Sequence, residues 1–124
     1  MNAQLTLTNK EQESRNLPLK DFYLSYKVLN KTADEIITAI TFELPTKESR
    51  FHFEKVCKRQ YLDIASVNTA ITITMNKGIV KEAHCSIGGV GPIPKFLSQT
   101  SDYLIHKTIE PKTVIRAEEI MQTE

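Results

Sequence analysis

Residues 51–91 read FHFEKVCKRQYLDIASVNTAITITMNKGIVKEAHCSIGGVG, and this stretch decides the fold. Apolar and polar side chains alternate through three segments of it, which is the pattern of β-strands with one buried face. Asn76-Lys77-Gly78 joins the second segment to the third and supplies residues that tolerate a positive φ. Residues 67–87 are therefore predicted to form an antiparallel hairpin, with a strand at 51–57 beside it.

The alternation also assigns an apolar face to each predicted strand. The residues on these faces are Phe51, Phe53, Lys55 and Cys57; Val67, Ile71, Ile73 and Met75; and Ile79, Ala83, Cys85 and Ile87. Lys55 stands out as a charge in an apolar position. Its stem can pack while its ammonium reaches water at the end of the sheet. The alternative is an ammonium directed at an anionic or electron-rich ligand.

Two helices are predicted to cover this sheet. Pro94 suits the first turn of a helix over 94–105, and Pro111 that of a second helix whose apolar side includes Val114 and Ile115. The expected fold is α+β, an antiparallel β-sheet of three to four strands covered by helices on one face.

The first third of the chain has its own pattern. Residues 3–8 alternate as a strand does, one helical turn is expected at 22–26, and the Ile- and Thr-rich segment 35–43 is predicted to be a strand that Pro45 ends. We divide the chain into two regions, residues 1–46 and residues 47–124.

Composition excludes several classes of function. The chain has 124 residues and a formal net charge of +1, which removes the electrostatic argument for a nucleic-acid partner. No apolar run approaches the ~20 residues of a membrane span. Two cysteines, Cys57 and Cys85, are too few for a disulfide framework, so we expect a cytoplasmic location. Both occupy apolar positions of strands that can be neighbours, which favours buried free thiols, with a disulfide as the alternative.

The sequence offers no catalytic or metal-binding constellation. His52, His84 and His106 lack the spacing of a zinc site, and no nucleophile motif is present. The glycine-rich segment 88–92 lacks the pattern of a phosphate loop, so we interpret it as a tight turn. No catalytic residue and no metal ligand is therefore predicted.

Two long segments carry a family resemblance. Residues 53–97 resemble the start of the C-terminal domain of the flavoprotein subunit of molybdenum hydroxylases, the xanthine dehydrogenase and carbon monoxide dehydrogenase group. The matching positions are Phe53, Lys55, Lys58, Arg59, Asp63 to Ala65, Gly88, Gly89 and Pro94. Residues 15–45 resemble the end of the preceding FAD-binding domain, although Ser25 stands where the family usually has glycine.

This resemblance implies an electron-transfer function. In the family, electrons pass from a molybdenum centre through iron-sulfur clusters to FAD, and then to NAD or another acceptor. Residues 1–46 would be the tail of the FAD-binding domain, and residues 47–124 the C-terminal domain. The flavin cradle of the family lies upstream of the matched residues, so we expect the isolated chain to lack FAD binding and activity, as a component of an oxidoreductase that is not catalytic alone.

The resemblance also implies flavin contacts. Lys55 matches a lysine that reaches the cofactor, Ile37 matches a residue bordering FAD, and Ile36 lies beside it. A positive charge at the flavin would favour its reduced, anionic form. Implied partners are the upstream FAD-binding domain and the molybdopterin-binding and 2Fe-2S subunits, which carry the other cofactors.

A second hypothesis belongs to a different class. The chain would be a non-catalytic interaction or small-ligand-binding module that keeps only the fold. Residues 1–45 are expected to expose apolar surface once their parent domain is absent, which would favour self-association under either hypothesis. Neighbouring reading frames that encode neither a molybdopterin subunit nor a 2Fe-2S subunit would favour this hypothesis.

Overall fold

The chain forms two compact units, Met1–Leu44 and Pro45–Glu124. A computed structural model describes residues 2–61 and 63–124. The boundary between the units lies between Leu44 and Pro45. Pro45 is the residue predicted to end the strand before it. That residues 1–46 are the tail of an FAD-binding domain and residues 47–124 a C-terminal domain stays a prediction.

The first unit is a three-stranded antiparallel sheet of order β2-β1-β5, together with a short hairpin. The sheet comprises β1 (Gln4–Thr8), β2 (Ser14–Pro18) and β5 (Ile36–Thr41), and the hairpin comprises β3 (Tyr23–Ser25) and β4 (Val28–Leu29). Its buried core is Leu5, Leu7, Leu17 and Phe22. The strands predicted within 3–8 and 35–43 are confirmed.

The helical turn predicted at 22–26 is wrong. A single 3₁₀ turn lies earlier, at Leu19–Asp21, and strand β3 follows it. Pro18 precedes the turn with φ −57°, so its ring fixes the backbone where the turn begins. Phe22 is then buried in the core, with its ring edge-on to Tyr23 at 5.2 Å.

The second unit is a four-stranded antiparallel sheet of order β6-β7-β8-β9 with two helices. Its elements are β6 (Ser49–Cys57), β7 (Ala65–Asn76), β8 (Ile79–Gly88), β9 (Lys95–Phe96), α1 (Ser98–Leu104) and α2 (Pro111–Thr123). The core joins both helices to β8, through Val80, Ala83, Cys85, Leu97, Leu104 and Ala117. The predicted α+β fold, an antiparallel sheet covered by helices, is confirmed.

The hairpin of β7 and β8 closes as its sequence indicates. Lys77 and Gly78 both have a positive φ, 48° and 82°, as a two-residue type I′ turn requires. Asn76 pairs with Ile79 across it. Met75 then pairs with Val80, and a bulge follows before Thr74 pairs with Glu82. Val80 therefore enters the core while Ile79, predicted to be inside, is 45% exposed.

The predicted apolar face of β6 is also wrong. Phe51 pairs with Thr72, whereas the neighbouring Ile71 and Ile73 pack against the helical core. Because successive side chains alternate across a strand, Phe51, Phe53 and Lys55 lie on the face opposite the helices, here named the open face. The two phenylalanines are about half exposed.

The helix predicted over 94–105 begins only at Ser98. Lys95 and Phe96 pair with β8 as a fourth strand, and the Leu97 N–H donates to the Cys85 carbonyl at 2.9 Å. The second helix begins at Pro111 as predicted, but Thr113 and Ala117 form its buried face. Val114 and Ile115 are about half exposed.

Glu124 holds the start of α1 against the end of α2. Its carboxylate accepts hydrogen bonds from the backbone N–H groups of Gln99 and Thr100, at 3.0 and 3.1 Å, and from the hydroxyls of Ser98 and Thr100. Lys95 donates to the Glu124 carbonyl. These bonds satisfy N–H groups that the first turn of a helix leaves unpaired.

Both cysteines are free, as expected, but only Cys85 is buried, and Cys57 is half-buried. They lie on strands separated by β7. Neither α1 nor α2, the helices of the described residues, has the length and apolar character to cross a membrane.

Candidate functional site

Lys55 lies near the end of β6 on the open face, and its ammonium has a hydrogen-bond partner. Its ammonium donates a hydrogen bond to the Asp63 backbone carbonyl at 2.8 Å. The side chain is exposed rather than packed in the core. An ammonium has three donors, so this bond leaves capacity for a ligand.

The loop between β6 and β7 is held by Asp63. Its carboxylate accepts from the Arg59 backbone N–H at 2.8 Å, from the Arg59 guanidinium at 3.1 Å and from the Ile64 N–H at 2.9 Å. The hydrogen bond from Arg59 is the largest cause that lowers the pKa of Asp63, and the charge of Lys55 acts in the same direction. Arg59 and Asp63 thus form an ion pair within this loop, in which Leu62 lies outside the described residues.

The strand register aligns three residues across the open face. Lys55 pairs with Asn68, and Asn68 pairs with Gly88. Residues directly opposite on neighbouring strands project to the same face with Cβ atoms about 5 Å apart. The sheet therefore places an ammonium, a carboxamide and a residue without a side chain in one row.

Gly89, after the end of β8, is required by a close contact with β7, and Gly88 lies under a side chain of β7. A Cβ at Gly89 would lie 2.4 Å from the Ser66 carbonyl oxygen, and Gly89 has φ +89°. A Cβ at Gly88 would lie 2.9 Å from the Asn68 side-chain nitrogen. An open cleft of about 260 Å³ is lined by Asn68 and by residues 86–89 and 91–94. The prediction of a turn rather than a phosphate loop agrees with this packing, although a strand follows before the helix.

Ile36 and Ile37, the other predicted flavin neighbours, open strand β5 in the first unit. This strand is an edge of its sheet, and the two side chains are 66% and 44% exposed. A bulge follows at Thr38, whose hydroxyl donates to the Thr6 carbonyl at 3.2 Å. Lys55 belongs to the second unit, so the three predicted site residues do not form one cluster within either unit.

An ion pair that the sequence did not reveal anchors the residue before Ile36. The carboxylate of Glu35 accepts from the Thr32 N–H at 2.7 Å and from the Arg15 guanidinium. The hydrogen bond from Arg15 is the largest cause that lowers the pKa of Glu35 to about 2, and the Thr32 N–H adds to it. Lys31 donates to the Glu35 carbonyl at 3.0 Å, which fixes the backbone directly before β5.

The histidines take separate positions. His52 lies 3.7 Å from the Glu54 carboxylate, and the His84 ring lies 6.2 Å from that of Phe96. Across residues 2–61 and 63–124, no three His, Cys, Asp or Glu side chains come together as a set that could hold a metal ion.

Comparison with known proteins gives these features a family context. Residues 52–124 match the family described as CO dehydrogenase flavoprotein C-terminal domain. Xanthine dehydrogenase 1 of Arabidopsis thaliana is 26% identical over 126 residues, which is 98% of this chain and 9% of that protein. The chain thus spans less than a tenth of the length of this relative.

Solved structures share the fold. The reconstituted CO dehydrogenase from Oligotropha carboxidovorans superposes with a TM-score of 0.90 at 20% identity, over 98% of this chain and 42% of that chain. Quinoline 2-oxidoreductase from Pseudomonas putida 86 has a TM-score of 0.78 at 21% identity, over 96% of this chain and 40% of that chain. Both matches extend across the two units.

Proposed function

Because this chain belongs to the CO dehydrogenase flavoprotein C-terminal domain family, we propose that it is part of the FAD-containing electron-transfer subunit of a xanthine dehydrogenase-like molybdenum hydroxylase. The family match over 52–124, the greater part of the chain, is the observation that carries this proposal. FAD, when bound, supplies the redox chemistry, by receiving electrons from iron-sulfur clusters and passing them to NAD or another acceptor.

The residues of the second unit suit one part of such a cofactor. Lys55 offers a positive charge, Asn68 offers a hydrogen-bond donor and an acceptor, and Gly88 leaves room for the Asn68 side chain to lie over it. A few polar groups at fixed positions orient a planar ring that carries polar atoms along one edge. The Lys55 charge would stabilise negative charge on that ring.

Ile36 and Ile37 would contribute an apolar border that excludes water from the ring. Both are exposed on β5, although isoleucine is among the residues most often buried in folded proteins. The Arg15–Glu35 pair and the Thr38 bulge hold the backbone on either side of them. Preorganised side chains lose less conformational entropy on binding a ligand.

The remainder of the flavin site would come from an upstream FAD-binding domain, of which residues 1–46 form the tail. The molybdopterin-binding and 2Fe-2S subunits would supply the electrons. We expect the isolated chain to lack tight FAD binding, since most of the flavin site would belong to the upstream domain.

A titration with FAD, followed by flavin fluorescence, tests this proposal. The isolated chain should show no binding at micromolar FAD. A fusion to the upstream FAD-binding region of a CO dehydrogenase flavoprotein subunit should bind FAD tightly. Micromolar binding by the isolated chain would contradict the need for an upstream domain. A folded fusion that binds no FAD would contradict the proposed function and favour an interaction module.

A further inference from the structure

Strand β6 forms one edge of the four-stranded sheet, and among residues 2–61 and 63–124 it pairs only with β7. It is nine residues long, whereas β9 at the opposite edge has two residues. Its sequence contains no proline, and its register with β7 shifts only at its end, between Val56 and Cys57. An edge strand without a proline or a central bulge is a template for pairing with another strand. The β6 edge is therefore a candidate interaction surface.

The hydrogen bonds with β7 identify the backbone groups that face this edge. The Met75 N–H donates to the Glu48 carbonyl at 3.1 Å, directly before β6 begins. Hydrogen-bonded and non-hydrogen-bonded positions alternate along an antiparallel pair. The N–H and carbonyl groups of Phe51, Phe53 and Lys55 therefore point away from β7, toward the free edge.

The first residue of β6 is closed to a further strand. The Ser49 carbonyl accepts from the Arg50 guanidinium at 2.9 Å, and the Ser49 N–H donates to the Thr46 carbonyl at 3.1 Å. In the part of the chain that the structure describes, no hydrogen bond of this kind occupies the outward backbone groups of residues 51–55. The open part of the edge is therefore centred on Phe53.

The charges along this stretch suit pairing with a second copy of the same strand. In an antiparallel pair centred on Phe53, His52 of each chain lies opposite Glu54 of the other. Both side chains are exposed, 74% and 67%, and they lie 3.7 Å apart within one chain. Side chains at these positions come closest across the pair, because their backbone groups point away from the second strand. The two-fold axis makes the imidazole–carboxylate contact twice.

The neighbouring registers bring like charges together. Pairing centred on Phe51 places Glu48 opposite Glu54 of the second copy, and pairing centred on Lys55 places that lysine opposite itself. Like charges directly opposite each other destabilise a pair of strands. In the register centred on Phe53, its ring, 54% exposed, lies opposite the same ring of the second copy. Aromatic cross-strand pairs are stabilising, so this register is the favoured one.

We propose that two copies of this chain associate along β6, antiparallel and centred on Phe53, so that the four strands of each copy form one continuous sheet. The outward N–H and carbonyl groups of Phe51, Phe53 and Lys55 are then paired, and His52 faces Glu54 of the second copy. Pairing in the plane of the sheet leaves the open face uncovered. This inference therefore goes beyond the proposed function and does not depend on it.

A strand of a different protein is the competing occupant. Such a strand would use the same backbone groups, but it would not need an imidazole and a carboxylate related by a two-fold axis. Association of the pure chain, and its dependence on His52 and Glu54, separates the two occupants.

Sedimentation velocity of the 124-residue chain, from about 10 μM to about 1 mM, tests the proposal. Short paired strands form a small interface, so we expect a monomer–dimer equilibrium with a dissociation constant within this range. His52→Glu places two carboxylates opposite each other in both contacts and should weaken the dimer about tenfold or more. Glu54→Lys takes the carboxylate away from His52 and should also weaken it. Glu118→Lys, at an exposed position of α2, is the matched control and should associate as wild type does.

An equimolar mixture of the two variants gives a sharper measurement. A chain with His52→Glu should pair with a chain with Glu54→Lys, because the new carboxylate of one faces the new ammonium of the other. The second contact of such a dimer is that of wild type. The mixture should therefore regain the dimer that each variant alone has lost, which misfolded variants could not do.

Hydrogen exchange of the backbone amides, followed by NMR, identifies the strand that pairs. The amides of Phe51, Phe53 and Lys55 should gain protection as the chain concentration rises. Those of His52 and Glu54 are bonded to β7 and should be protected at every concentration.

A wild-type chain that stays monomeric at about 1 mM overturns the proposal without relying on any variant. A dimer that His52→Glu leaves unchanged also overturns it, because association then occurs through another surface. A mixture of the two variants that associates no better than each variant alone would contradict the register centred on Phe53.

Discussion

The Arg15 guanidinium holds the Glu35 carboxylate at two points, with Nε 2.6 Å from Oε1 and Nη2 3.0 Å from Oε2. The same Nη2 donates to the Asn30 carbonyl at 2.8 Å. One side chain of β2 therefore fixes both the loop before β5 and the residue that precedes that strand. Ile36 and Ile37 follow directly, so their placement depends on this pair.

Replacing Glu35 should change how stability depends on pH. The folded-state pKa is about 2 and the ordinary value is 4.5, chiefly because Arg15 hydrogen-bonds the charged carboxylate. A lowered folded pKa stabilises the fold above the unfolded pKa, and this contribution is lost as pH falls through the folded pKa. Glu35→Gln should therefore lower the Tm most above pH 4.5, and the difference from wild type should disappear near pH 2.

Thermal unfolding between pH 2 and pH 7, followed by circular dichroism, measures this difference. Glu11→Gln is the control, because Glu11 is exposed and lies 3.6 Å from the exposed Lys10. Its Tm should follow wild type at every pH. A Glu35→Gln difference that is the same at pH 2 and pH 6 would show that the ion pair does not cause it.

The two thiols should differ in reactivity. Cys85 is 4% exposed, and burial raises the pKa of its thiol, while a hydrogen bond with Ser101 opposes the rise. Cys57 is half-buried and donates to the Arg59 carbonyl at 3.1 Å. Since the thiolate is the reacting form, the native chain should be labelled by a thiol reagent at Cys57 and only slowly at Cys85.

Counting labelled thiols with and without denaturant checks this expectation. Cys57→Ser should abolish rapid labelling of the native chain, and Cys85→Ser should leave it unchanged. Equal labelling rates for both thiols in the native chain would mean that β8 is not covered by α1 as described.

Glycine substitutions should rank in a definite order. Gly89→Ala combines φ +89° with a Cβ 2.4 Å from the Ser66 carbonyl, so we expect a loss of about 3 kcal/mol or more. Gly78→Ala has φ +82° but no atom within 4 Å, and should cost about 1–2 kcal/mol. Gly91→Ala, whose nearest atom is at 4.0 Å, should change stability by less than ~0.5 kcal/mol. Urea unfolding of the three variants measures this order, and equal losses at Gly89 and Gly78 would contradict the close contact with β7.

Turn chemistry explains which parts of the fold could be predicted. Asn76 to Gly78 determine a two-residue turn, and that turn fixes how β7 pairs with β8. The connection from β6 to β7 is longer and includes a bulge after Val56. A shift of one residue exchanges the two faces of a strand, so alternation within β6 could not tell which face the helices cover.

Only part of the candidate site could be predicted from the sequence. Lys55 was recognisable as a charge among apolar positions, although it lies on the open face and not on the covered one. Asn68 was not recognisable, because its importance comes from the missing side chain of Gly88 on the next strand. Arg15 and Glu35 are twenty residues apart and meet only once β2 and β5 both pair with β1.

Lys55→Met should lower the reduction potential of bound flavin in the FAD-binding fusion, if the proposed function holds. A unit charge several ångströms from the ring contributes about 1–3 kcal/mol at intermediate dielectric, which corresponds to a fall of roughly 20–60 mV for a two-electron couple. Lys55→Arg retains the charge and should keep most of the potential. The control is Lys112→Met in α2, which covers the other face of the sheet and whose lysine pairs with Glu110 at 3.2 Å. Equilibration against a dye of known potential gives the value for each variant. An unchanged potential in Lys55→Met, or an equal fall in Lys112→Met, would contradict an interaction between the Lys55 ammonium and the flavin. The ammonium would then contact only water and the Asp63 carbonyl.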